Sequence, residues 1–160
     1  MTLISMTPDT LSATAGNSDD AELQSGPIEI IETVIASLDQ DGSAMVSHDE
    51  EDGYLWKFDY GSVDVFVQLT GIRDDDTLTV WSPILKLPVK DESGLMKHLL
   101  EMNCGETFEA CFGISNQEVL ILASRVLADI NPGEISRMMT VVATIADEND
   151  EALQQKYPAA

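Results

Sequence analysis

The chain has 160 residues, about one domain's worth, long enough to bury a core without help from a disulfide or a metal. Its 29 Asp and Glu against 8 Lys and Arg leave a net charge of −21, which repels phosphate backbones and anionic lipid and argues against nucleic acid and membrane surfaces as partners. Hydrophobic residues make up 44%, an ordinary globular composition and too high for wholesale disorder.

Residues 1–26 carry four acids, no base and no apolar period, and are expected to form a disordered acidic tail. They lack the basic and apolar regions of a signal peptide and the arginines of a transit peptide. No segment approaches the ~20 apolar residues of a membrane-spanning helix. Two cysteines, Cys104 and Cys111, are too few for a secreted disulfide scaffold, so a reducing cytoplasm is the expected address. One folded domain is expected over residues 27–157.

The first helix starts at Pro27, whose fixed φ suits the first helical position, and Ile28, Ile31, Val34, Ile35 and Leu38 recur at helical spacing. It stops in Asp39-Gln40-Asp41-Gly42-Ser43. The period then switches to two. Trp56, Phe58 and Tyr60 alternate with Lys57 and Asp59, and after Gly61-Ser62, Val63, Val65, Val67 and Leu69 alternate with Asp64, Phe66 and Gln68, the pattern of a hairpin. Asp74-Asp75-Asp76 marks a turn, and Thr77 to Ser82 forms a third strand stopped by Pro83. A second helix runs from Asp91 or Glu92 to about Asn103, with Gly105 beyond its end. Phe108 to Ile114 and Glu118 to Ser124 form a second hairpin around Ser115-Asn116-Gln117. In the last helix Asn131 caps, Pro132 takes the first position and Glu134 completes a capping-box spacing. The acid cluster Asp147 to Glu151 is expected to interrupt it before a final turn ended by Pro158. The order α-β-β-β-α-β-β-α predicts an α+β fold: a twisted antiparallel sheet of five strands with three helices mostly on one face.

The Trp56-x-Phe58-x-Tyr60-Gly61 to Val63-x-Val65 hairpin and the helix end Leu99-Leu100-Glu101-Met102-Asn103 together resemble the YbjN-domain family, whose fold is that of the type III secretion chaperones. Phe108-Glu109-Ala110-Cys111-Phe112, Ile121-Leu122-Ala123-Ser124-Arg125 and Ala146-Asp147-x-x-Asp150-x-x-Leu153 extend the resemblance over roughly residues 27–157. These are packing and turn motifs. The resemblance implies a homodimeric, non-catalytic protein-binding or regulatory domain, and it brings no catalytic residue with it.

Chemical motifs are sparse. The runs Asp49 to Gly53, Asp74 to Asp76 and Asp147 to Glu151 lack the alternate oxygens and twelfth-position Glu of a calcium loop and read as solvated acidic loops. Cys104 and Cys111 are seven apart, neither a redox pair nor half a zinc ribbon; with His48 and His98 they are expected to be buried or half-buried structural residues. There is no Gly-x-Ser-x-Gly elbow, P-loop or dinucleotide turn, so neither a catalytic residue nor a metal or other cofactor is assigned. Met96, Met102, Met138 and Met139 lie at helical spacing and read as core.

Strand alternation carries the remaining signal. It puts Trp56, Phe58, Tyr60, Val63, Val65, Val67, Phe108, Phe112, Val119 and Ile121 on the helix-covered side. The other side receives Leu55, Phe66, Trp81, Cys111, Leu120 and Leu122, among Lys57, Asp64, Gln68 and Glu109. A solvated face reads polar at nearly every second position, and this one does not. Phe66 and Trp81 are the expected anchors of a patch that a second subunit or a client covers. The chain therefore reads as a chaperone-like adaptor that binds another polypeptide as a homodimer. A small enzyme with a hidden site, or an acidic mimic of nucleic acid that binds a basic partner, are the competing readings.

Overall fold

A computed structural model describes residues 26–49 and 53–160. The expected tail, apart from Gly26, and most of the Asp49 to Gly53 run lie outside the described residues. The first helix, α1 (Pro27–Leu38), starts with Gly26 as N-cap and proline in its first turn, and buries Ile31, Val34 and Ile35. Six strands follow, not five: β1 (Met45–Asp49), β2 (Gly53–Tyr60), β3 (Val63–Leu69) and β4 (Thr77–Lys86) precede helix α2 (Glu92–Asn103), and β5 (Cys111–Ser115) and β6 (Glu118–Val126) precede helix α3 (Pro132–Lys156). All pairs are antiparallel, in the spatial order β1-β2-β3-β4-β6-β5.

The extra strand is β1. Met45, Val46, Ser47 and His48 are all exposed, so no buried period marks the segment, and it is a strand because β2 pairs with it. The end of β4 and the start of β5 also differ from expectation. β4 continues through Pro83 to Lys86, with a register irregularity between Pro83 and Leu85. Its pairing with β3 ends at Phe66–Trp81, so the proline sits beside a bulge where one neighbour has already left, a place where a missing N–H is tolerated. Conversely, β5 starts at Cys111, not Phe108. Phe108 has φ 53° and is 76% exposed, in a loop that turns through the Ala110 N–H to Thr107 carbonyl bond (2.9 Å).

α3 is unbroken across its acid cluster. Asn131 and Glu134 form the reciprocal capping box, with Glu134 N–H donating to Asn131 Oδ1 (3.0 Å) and Asn131 N–H to Glu134 Oε2 (3.0 Å). Its buried stripe of Ile135, Met138, Met139, Val142, Ile145, Ala146 and Leu153 packs across β3, β4 and β6 and against α1. α2, capped by Asp91 accepting from the Gly94 N–H, packs along β5. Between these helices and the sheet, Trp56, Phe58, Val63, Val65, Val67, Phe112, Val119 and Ile121 are buried as the alternation predicts, while Tyr60 is half-buried. Met102, Met138 and Met139 fill the core, with Met96 packed against it.

Candidate functional site

The open side of the sheet gathers the apolar residues singled out above. Cross-strand register aligns Met45, Lys57, Phe66, Trp81, Leu122 and Cys111 in one row that crosses all six strands. Phe66 and Trp81, directly opposite on β3 and β4, stack with ring centroids 5.3 Å apart and planes 12° from parallel. Such a cross-strand aromatic pair carries packing that neither strand has alone. Lys57 lies 5.9 Å from the Phe66 centroid and its ammonium is 3.0 Å from Asp64 Oδ2. Leu120 faces Pro83 on β4 and Gly113 on β5 in the adjoining row. On the other side of the aromatic row, Leu55 lies opposite Gln68 and Ser47. Phe66, Trp81, Leu55, Leu120 and Leu122 are half-buried, and Cys111 is exposed.

Two exposed apolar residues of this side escaped the sequence argument. Met45 (62% exposed) begins the row on the unforeseen β1, and Val126 (52% exposed) ends β6 opposite Thr77. Continuing the alternation from Leu122 by four residues reaches Val126. Other expectations fail here. Both cysteines are exposed, because Cys104 follows α2 and Cys111 lies on the open side of an edge strand. His48 is exposed on β1 and packs against Tyr54 with ring centroids 4.2 Å apart and planes tilted by 36°, whereas His98 is half-buried and 6.0 Å from Tyr157. Glu109 is not on the open side: it pairs with Arg137 of α3 (Oε1 to Nε, 2.6 Å), and that hydrogen bond holds its carboxyl below the usual range.

The open side carries one unfavourable pairing. Asp59 and Asp64 stand directly opposite each other on β2 and β3. A hydrogen bond shared with Asp64, reinforced by desolvation and like charge, raises the Asp59 carboxyl above its ordinary value.

The motifs that carry the resemblance prove to be clamps. The Ser62 N–H donates to Asp147 Oδ1 (2.8 Å), and the Ser62 hydroxyl lies 3.0 Å from that oxygen and 2.9 Å from Asp150 Oδ2. Gly61 beside it has φ 54°, and a Cβ there would run into the Asp147 carboxyl. Asp147 and Asp150 are therefore fixtures of a helix and not a solvated loop; Asp150 is 5% exposed. At the other end, the Asn103 side chain bonds both backbone groups of Phe112, accepting from its N–H (2.7 Å) and donating to its carbonyl (3.2 Å). Asp76 likewise builds a turn: its carboxyl accepts from the Arg73 N–H (2.8 Å), which lowers its pKa.

No group of three or more His, Cys, Asp or Glu side chains among the described residues could hold a metal ion. No helix among them is long and apolar enough to cross a membrane.

The family model of YbjN, described as "Putative bacterial sensory transduction regulator", matches residues 27–155. A chain of the HopA1–SchA chaperone–effector complex is similar in fold, with a TM-score of 0.50 at 9% identity, over 76% of this chain and 92% of that one. A chain of the ExsC–ExsE complex gives a TM-score of 0.49 at 16% identity, over 78% of this chain and 91% of that one. No curated protein matches the sequence.

Proposed function

Because the chain belongs to the YbjN family, we propose that it is a non-catalytic, chaperone-like adaptor or regulator that works in the cytoplasm as a homodimer and binds another polypeptide. The observation that carries the reading is the uncovered row of Phe66, Trp81, Leu122 and Cys111. Three helices bury one side of the sheet, while the other keeps a stacked aromatic pair with aliphatic neighbours at half exposure. Stacked aromatics ringed by smaller apolar and polar groups have the make-up of an interface centre. A fold shared with a chain of a chaperone–effector complex supports a protein partner over a small substrate.

The test is the double substitution Phe66→Gln with Trp81→Ser, compared with the parent chain by sedimentation equilibrium and circular dichroism. A parent dimer and a folded variant whose self-association is weaker by roughly tenfold or more support the reading. A variant that folds and dimerises unchanged overturns the assignment of the row, and so does one that unfolds, since the two rings would then be core. A parent chain that stays monomeric at tens of micromolar overturns the homodimer.

A further inference from the structure

Phe108 is held in a way that no packing among the described residues explains. Its φ is 53°, a left-handed backbone that a bulky side chain adopts only at a cost. Its ring is 76% exposed, so burial does not offset that cost. The conformation is nevertheless fixed from both sides. Thr107 and Ala110 are buried, and Glu109 grips the Arg137 guanidinium of α3 through both carboxyl oxygens (2.6 and 3.1 Å). The same guanidinium lies 5.9 Å from the ring centroid. The loop between α2 and β5 thus presents an aromatic ring rigidly to solvent, which is how an interface anchor is prepared before its partner arrives.

Beside the ring runs a groove of about 390 Å³, with Met102 and Ile145 buried in its floor. One wall is the Phe108 loop. The other is the outer surface of α3, where Thr140, Thr144 and Glu148 form one row at four-residue spacing and Val141, Ile145 and Asn149 form the next. Two such rows are ridges with a furrow between them, and a second helix laid across them seats its own ridge in that furrow. Threonine and valine are short enough to let its backbone come close. The occupant that this surface fits is a helix.

The charge on the groove says which helix. Glu106 stands on the loop wall and Glu148 on the α3 wall, both exposed, and neither has an ion-pair partner among the described residues. Among those residues no base lines the groove. Residues 1–25 of this chain carry four acids and no base, and a second copy carries a net −21; each would bring like charge to it. We propose that the groove receives an amphipathic helix of a partner polypeptide. Apolar residues of that helix at four-residue spacing pack against Phe108 and Val141, and flanking Lys or Arg side chains meet Glu106 and Glu148. The proposal rests on the reading that the chain binds another polypeptide, and it gives that partner a place apart from the aromatic row of the sheet.

The probes are three capped peptides of about 15 residues, long enough to hold a helix. The first is alanine-based with leucine at every fourth position and flanking lysines; the second has glutamate for lysine, and the third serine for leucine. Each is titrated into the full chain with backbone amide NMR as readout. The leucine–lysine peptide is expected to bind saturably, with shifts centred on Glu106, Phe108, Thr140, Thr144 and Glu148, and roughly tenfold or more tighter than either control. Equal binding of the serine–lysine peptide would reduce the effect to ionic attraction and overturn the proposal. Phe108→Asn, a residue that accepts the left-handed backbone, is expected to lose roughly tenfold in affinity while its thermal midpoint stays level or rises. A lower midpoint would make the ring structural, which overturns the proposal as well. Thr140→Arg should produce the same loss of binding from an exposed position, by filling the groove and reversing its charge. The chain with Phe66→Gln and Trp81→Ser should bind the peptide as the parent does. Shifts centred on the aromatic row instead would keep the protein-binding reading and sink this one, whereas no saturable binding at either place counts against both. A parent dimer that dissociates in Phe108→Asn, or resonances of residues 1–25 that shift in that variant, would give the groove to a second copy or to the chain's own N-terminal segment, and either result overturns the partner helix.

Discussion

The covered and open sides of the sheet are made from alternate residues of the same strands, and they are ordered by different means. On the covered side Val65, Val67, Leu69, Leu78, Val80, Val119 and Ile121 are fully buried. Aliphatic volumes fill the space under α3, and close packing fixes them. On the open side a single row combines a lysine, two aromatics, a leucine and a cysteine. There the order comes from pair geometry, a 5.3 Å stack and a 3.0 Å ion pair, with solvent at the edges. A face set by volume is expected to resist substitution, and a face set by pairs to tolerate it while losing its recognition surface.

The largest effect should come from the covered side. Phe58 is 0% exposed, and Phe58→Ala is expected to lower unfolding stability by about 3–5 kcal/mol in denaturant titration. A loss below 1 kcal/mol would erase the distinction between the faces. Next comes the clamp that ties the β2–β3 turn to α3. Gly61→Ala imposes a side chain at positive φ against the Asp147 carboxyl and is expected to cost about 1–3 kcal/mol. Adding Asp147→Ala should relieve the steric part, so the double-mutant cycle reads a non-additive coupling. On the open side Phe66→Ala forfeits the stack and is expected to cost only about 1–2 kcal/mol, the measurement that separates the two faces most directly.

The smallest effect is electrostatic. With its folded-state pKa raised by Asp64, Asp59 contributes stability that is fully present below its unfolded pKa and is lost as pH rises through the folded value. Asp59→Asn should therefore raise the thermal midpoint near neutral pH and give no advantage once Asp59 is protonated in acid. An advantage of equal size at both pH values would mean that Asp64 is not the cause.

Much of this architecture was legible because burial writes a period into the sequence. The Trp56 to Leu69 hairpin, the Asn131 cap and the stripe of α3 each bury one side, and each appears where expected. β1 was illegible because neither of its sides is buried, so nothing in its residues distinguishes strand from loop. Phe108 misled because an aromatic two residues before a buried alanine looks like alternation, whereas the backbone turns left-handed there and throws the ring outward. Asp147 and Asp150 resembled a hydrated acid run; only the fold brings Ser62, 85 residues away, to meet them. The open row was readable residue by residue, since Phe66, Trp81, Cys111 and Leu122 all stand on one side. Its alignment across the strands depended on registers that alternation does not specify. The parting of β3 from β4 left no sequence trace beyond Pro83.

The placement of α3 bears on how the chain acquires its shape. It follows every described strand in chain order, yet it underlies β3, β4 and β6, supports α1 and grips the β2–β3 turn. While synthesis proceeds from the N-terminus, every strand is finished before the cover for its apolar side exists. The contacts that settle the sheet are sequence-distant, and loop-closure entropy makes such contacts slow to form. A nascent chain that ends before Asn131 should therefore stay unfolded, present both sides of its strands to the surroundings and aggregate. For this domain, folding begins in earnest only when the stretch from Asn131 to Lys156 arrives.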